Sequence, residues 1–120
     1  METITELEQK ILVRQAITEL VDFMSKASAS HTAERFPTLK PDLFWVEGGK
    51  KYIKIAQGPG IEGAGASVHC FVDALTGDVY KAAGWKAPAL NGARYNLLDP
   101  ESLELLHSRF DVYGSYLYKR

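Results

Sequence analysis

Between Ser67 and Tyr80 the chain reads Ser-Val-His-Cys-Phe-Val-Asp-Ala-Leu-Thr-Gly-Asp-Val-Tyr. A β-branched and aromatic run, a glycine-bearing turn and a second short β run make a hairpin, with strands at Ser67–Asp73 and Asp78–Ala82 joined over Ala74–Gly77. Gly77 supplies the positive φ that such loops commonly need. A hairpin alone is marginal in water and needs further strands with a cover over their apolar face. Two more runs with period two, Leu43–Val46 and Lys51–Ala56, precede it. In the second, Tyr52, Lys54 and Ala56 face one side and Ile53 and Ile55 the other.

The cover comes from the N-terminus. Ile4, Leu7, Ile11, Leu12, Ala16, Ile17, Leu20, Val21 and Met24 recur at three- and four-residue steps and predict an amphipathic helix over 3–26. Two capping boxes, Thr3 with Glu6 and Thr5 with Glu8, would start it. Small polar residues after Lys26 predict fraying into a connector over 27–41, punctuated by Pro37 and Pro41. Leu12→Asp or Ile17→Asp is expected to unfold such a protein by burying a charge. Residues 84–98 read as irregular. A short helix follows over 99–108, with Asp99 as N-cap and Pro100 at the first helical position. The aromatic tail, 109–120, is expected to dock or to pair along a sheet edge. The reading is one α+β domain over 1–120: an amphipathic helix on an antiparallel meander of about three to five strands, with a short C-terminal helix.

Composition closes off several functions. The 120 residues carry a formal net charge of −1, so no global attraction draws the chain to nucleic acid or an anionic membrane. One cysteine, Cys70, can make neither an internal disulfide nor a metal knuckle and points to a reducing compartment. No apolar run reaches the length of a membrane span.

Together with Lys51-Tyr-Ile-Lys-Ile55, the block Val68-His-Cys-Phe-Val-Asp-Ala-Leu-Thr-Gly-Asp-Val-Tyr-Lys-Ala-Ala-Gly-Trp-Lys-Ala-Pro88 resembles a family of short tailed-bacteriophage proteins. So do Ala93-Arg-Tyr-Asn-Leu-Leu98 and Gly114-Ser-Tyr-Leu-Tyr-Lys119. The resemblance covers roughly residues 50–120. It implies work in the cytoplasm of an infected bacterium, and it brings no established activity and no catalytic residues.

Most chemical motifs fail on context. Gly58-Pro-Gly-Ile-Glu-Gly63 matches G-x-G-x-x-G, but it joins two strands, where no helix N-terminus awaits a pyrophosphate, and Pro59 removes a donor. His31, His69, Cys70 and His107 are scattered over three elements, whereas a structural zinc site needs about four converging ligands. On a regular strand His69 and Cys70 face opposite sides, which excludes a catalytic pair and leaves Cys70 as a small core residue. Asp73 and Asp78 flank the turn, where Asp caps backbone N–H groups. Glu101 and Glu104 lie on the second helix as solvated residues.

What remains is Tyr80-Lys81, Trp85-Lys86 and Arg94-Tyr95-Asn96, three cations and three aromatics within 17 residues, with Lys54 on a neighbouring strand. The mix can grip an anion beside a planar ring, and it can equally clasp an irregular segment to the sheet. The expected function is non-enzymatic and needs no cofactor: a phage accessory protein that binds a host protein. The alternatives are a binder of a nucleotide or other small anion, such as a defence signal, and a weak binder of single-stranded nucleic acid, which the overall charge disfavours. A homodimer through the helix or the tail edge is compatible with the wide apolar stripe.

Overall fold

Every strand that the period-two spacing predicts is present, and all join one sheet. A computed structural model describes residues 4–59 and 65–118. In chain order the elements are α1 (Ile4–Arg35), β1 (Leu43–Glu47), β2 (Tyr52–Gly58), β3 (Ser67–Asp73), β4 (Asp78–Tyr80), β5 (Tyr95–Asn96), α2 (Pro100–Arg109) and a 3-10 turn, η1 (Ser115–Leu117). The sheet order is β1-β2-β3-β4-β5, antiparallel throughout. Gly77 turns the hairpin with φ 79°, and Asp73 Oδ1 accepts from the N–H of Leu75 and of Thr76 at 2.8 and 3.0 Å. The fold is α+β, and β5 lies inside the segment expected to be irregular. Most of the G-x-G-x-x-G segment, from residue 60, lies outside the described residues, as does Thr3.

Residues directly opposite in an antiparallel pair share a face. The register aligns Val46↔Ile55↔Cys70, Ile53↔Val72↔Val79 and Val79↔Tyr95, all on the inner face against α1. Glu47↔Lys54↔Phe71↔Tyr80 makes a row on the outer face. One irregularity overturns a sequence expectation. Pairing steps from Ile55↔Cys70 to Ala56↔Val68, so β3 carries one extra residue, His69. Such a bulge breaks strict alternation, and His69 therefore points inward beside Cys70 instead of outward. Both are buried.

α1 differs from its sequence reading in length and in facing. It runs on to Arg35, for 32 residues in all, or roughly 48 Å at 1.5 Å per residue. Ala27, Ala29 and Ala33 favour helix, and Ser28, expected to fray it, is buried with Oγ donating to the Asp42 carbonyl at 2.9 Å. Pro37 then disfavours helical backbone at Phe36. Because the helix already includes Ile4, Thr5 lies within it and cannot serve as N-cap. The line that meets the sheet is Val13, Ile17, Leu20, Met24 and Ser28, all at most 2% exposed. Val13 was absent from the predicted stripe, and Leu7, Ile11 and Leu12, which belonged to it, are 50–52% exposed. The side chain of Ile4 lies outside the described residues. Leu12→Asp therefore buries no charge, whereas Ile17→Asp does.

α2 starts as predicted: Asp99 caps it by accepting from Glu101 N at 3.1 Å, and Pro100 follows. Its buried Leu106 joins the cluster of Leu20, Ile53 and Val79, so both helices lie on the inner face. Glu101 and Glu104 are exposed. The tail docks without adding a strand. Gly114, at φ 77°, turns it so that Tyr116 and Leu117 enter the core.

Candidate functional site

The eight residues singled out in the sequence separate into three groups. Lys54, Tyr80 and Trp85 lie at the outer face, where Lys54 meets Trp85 and Tyr80 stands one strand beyond Phe71. The Lys54 ammonium sits 4.0 Å from the Trp85 ring centroid and 3.9 Å from Glu47 Oε1. Glu47 also accepts from Trp45 Nε1 at 3.1 Å. Tyr80 meets Tyr52 edge-on, with ring centroids 6.0 Å apart. Lys54 is thus held between a carboxylate and an indole with its side chain only 13% exposed. Its charge fastens the 81–93 segment to the sheet, while Trp85 keeps about half its surface in solvent.

Arg94, Tyr95 and Asn96 lie elsewhere and bind the chain to itself. The Arg94 guanidinium donates to the carbonyls of Leu117, at 2.6 Å, and Gly92, and to Asn91 Oδ1. Tyr95 is buried on the inner face, its hydroxyl donating to the Tyr116 carbonyl at 3.0 Å. Asn96 Nδ2 donates to the Thr76 carbonyl and Asp78 Oδ1, and its Oδ1 accepts from Leu98 N and Asp99 N. Of the remaining two, Lys86 is exposed, and Lys81 lies over the Tyr118 ring, its ammonium 4.7 Å from the centroid.

Behind the bulge lies a polar chain that the sequence did not reveal. Gln57 Nε2 donates to Asp42 Oδ2 at 3.1 Å and to the Val112 carbonyl at 2.8 Å. Its carbonyl oxygen is left to accept, so His69 Nδ1, 2.9 Å away, carries the proton. His69 Nε2 then accepts from the Tyr116 hydroxyl at 2.6 Å. Phe44, Phe110 and Tyr116 surround the imidazole. Burial lowers the His69 pKa to about 4, although the Asp111 charge opposes it. Burial likewise raises the Cys70 thiol to about 12, which withholds the thiolate that a nucleophile requires. Among the described residues no three His, Cys, Asp or Glu side chains converge as metal ligands would.

The feature most open to a partner is the first part of α1. Its residues 5–10 run beside two turns, Lys50-Lys51 and Leu75-Thr76, with grooves of about 310 and 340 Å³ between. Glu6 and Gln9 continue the sheet-facing line of Val13 toward the N-terminus and line a groove against Leu75. At roughly 100° per residue, Leu7 and Ile11 lie about 120° and 160° round the axis from Val13. They form a second apolar stripe, turned outward. Periodicity alone merged the two stripes. Ranking Val13 with the apolar set would have separated them.

No helix among the described residues is long and apolar enough to cross a membrane. A family model matches residues 2–119, described as a family of unknown function, DUF7717, and the chain belongs to that family. Neither curated proteins nor solved structures provide a match.

Proposed function

We propose that this DUF7717 member is a non-enzymatic phage accessory protein that acts inside an infected bacterium by holding a host protein. The observation that carries the reading is the outward stripe of α1, where Leu7 and Ile11 are about half exposed on a rigid helix whose opposite side faces the fold. Two large aliphatics at i and i+4 are the anchors with which a helix enters an apolar groove. Burying each stabilises by about 1.5–3 kcal/mol at most, discounted here because each is already half covered. The phage setting rests on the resemblance of the hairpin and tail blocks. The non-enzymatic reading is supported by the burial of Cys70 and by the occupied nitrogens of His69.

The test compares the tagged chain with Leu7→Lys/Ile11→Lys in pull-downs from bacterial lysate read by mass spectrometry. Both positions are exposed, so the melting temperature should stay within a few degrees. One host protein should be recovered reproducibly by the parent chain and lost with the double variant. Equal recovery by both, or no partner in repeated trials, overturns the reading. A parent chain of doubled mass in light scattering, reduced to single mass by the double variant, would replace the host protein with a second copy.

A further inference from the structure

β3 and β4 pair at only two positions, Phe71↔Tyr80 and Val72↔Val79. β3 begins at Ser67, yet past Tyr80 the other strand leaves the ladder: Ala82 bridges to Pro88, and the Lys81 carbonyl accepts from Ala89 N at 2.7 Å. The sheet therefore forks. Val68 and His69 on one limb and Lys81 and Ala82 on the other bound a pocket of about 180 Å³, completed by residues that include Gly114 and Tyr118.

The lining of this fork has one cation and no carboxylate. Lys81 Nζ makes one long hydrogen bond, 3.4 Å to the Ala82 carbonyl, and lies over the Tyr118 ring at 4.7 Å, so an ammonium with three donors still has a hydrogen for a ligand. Ser67 also lines the pocket, its hydroxyl donating only a long hydrogen bond, 3.5 Å, to the Gln57 backbone carbonyl, which an anion would replace. Asp111, whose charge reaches His69, turns its oxygens to Ser115 and to the Tyr113 N–H. The volume equals roughly six water molecules at about 30 Å³ each, well under the ~300 Å³ at which pockets begin to hold drug-sized ligands.

We infer that the fork binds a compact oxyanion of phosphate or carboxylate size, with Lys81 as counter-charge and Ser67 as hydroxyl donor. The site is separate from the α1 stripe and does not depend on the protein-partner reading. A phosphate could come free or as the end of a nucleotide, whose base would then lie outside the pocket against the exposed Tyr118.

The experiment is a ¹H–¹⁵N NMR titration of the full chain with inorganic phosphate and, separately, with adenosine monophosphate at matched ionic strength. Saturable shifts are expected at Val68, His69, Lys81 and Ala82. Lys81→Met should weaken binding by about tenfold or more, the loss of one charge-assisted hydrogen bond, and Lys81→Arg should retain most of it. Ser67→Ala, at an exposed position, gives a second and smaller loss that does not depend on how Lys81→Met folds. Tighter binding of the nucleotide with shifts at Tyr118 identifies a nucleotide phosphate, and equal binding identifies the free anion. Absence of saturable shifts with both ligands, shifts centred on Lys50 and Lys51, or unchanged affinity in both Lys81→Met and Ser67→Ala overturns the inference.

Discussion

The buried imidazole of His69 makes the stability of the fold depend on pH. In the folded chain His69 holds its proton on Nδ1 for Gln57 and offers Nε2 to the Tyr116 hydroxyl, so a second proton would break the bond to Tyr116 and charge a site lined by Phe44 and Phe110. Burial accordingly lowers its pKa from 6.5 to about 4. Above pH 6.5 the folded and unfolded chains both hold the ring neutral, and this contribution is fully present. As pH falls, the unfolded chain takes up a proton that the folded chain refuses until about 4, and the contribution drains away. At about 1.4 kcal/mol per pH unit, the whole window is worth about 3 kcal/mol, a large share of an ordinary domain's 5–15 kcal/mol. Urea unfolding between pH 7 and 4 measures the loss directly. His69→Gln keeps an amide donor and acceptor but cannot titrate, so its stability should change over that window by about 3 kcal/mol less than the parent's. ¹⁵N NMR should find Nδ1 protonated and Nε2 bare at pH 5. An imidazole that titrates near 6.5 in the folded protein, or a His69→Gln variant that loses as much stability as the parent, would refute the reasoning.

Three further substitutions test the architecture. Ile17→Asp should prevent folding at pH 7, since it buries an unpaired carboxylate at a position 2% exposed, while Leu12→Asp should cost no more than about 0.5 kcal/mol; circular dichroism melts of the pair decide it, and equal effects would mean that α1 is rotated. Gly77→Val should cost about 1–3 kcal/mol for its left-handed backbone, with more from a Cβ placed 3.2 Å from the Leu98 side chain; a melting temperature unchanged within a degree would contradict the turn. Arg94→Ala should destabilise by about 2 kcal/mol by orphaning the carbonyls of Leu117 and Gly92, whereas Lys86→Ala should leave chemical denaturation unchanged; the reverse order would make Arg94 a surface residue.

The sheet was legible because its signals are local. Period-two runs, a glycine turn and the Asp99-Pro100 helix start each depend on a few adjacent residues, and β1 to β4 and α2 appear within a few positions of their predicted bounds. The end of α1 was not, because the Ser28 hydroxyl, expected to compete for its own backbone, instead finds the Asp42 carbonyl, a partner 14 residues away. The outer-face trio of Lys54, Tyr80 and Trp85 could be grouped from charge and aromatic type. Arg94 and Tyr95 share those properties, yet they are drawn to the carbonyls of Leu117 and Tyr116, which no residue count foretells. His69 was misread for a third reason. A bulge leaves the residue types of a strand unchanged and alters only how many residues oppose its neighbour.

That last point bears on which genetic changes the protein can survive. On the inner face of β3 the number of residues before Cys70 matters as much as their identity. Removing Val68 would leave every chemical group of the polar chain encoded, yet a regular ladder would then send the imidazole to the outer face, away from Gln57 and Tyr116. A library of substitutions at this position should return many functional clones, and a library of one-codon deletions between Ser67 and His69 should return almost none. The bulge is a length constraint written into the gene, visible to deletion scanning and nearly silent to point mutation.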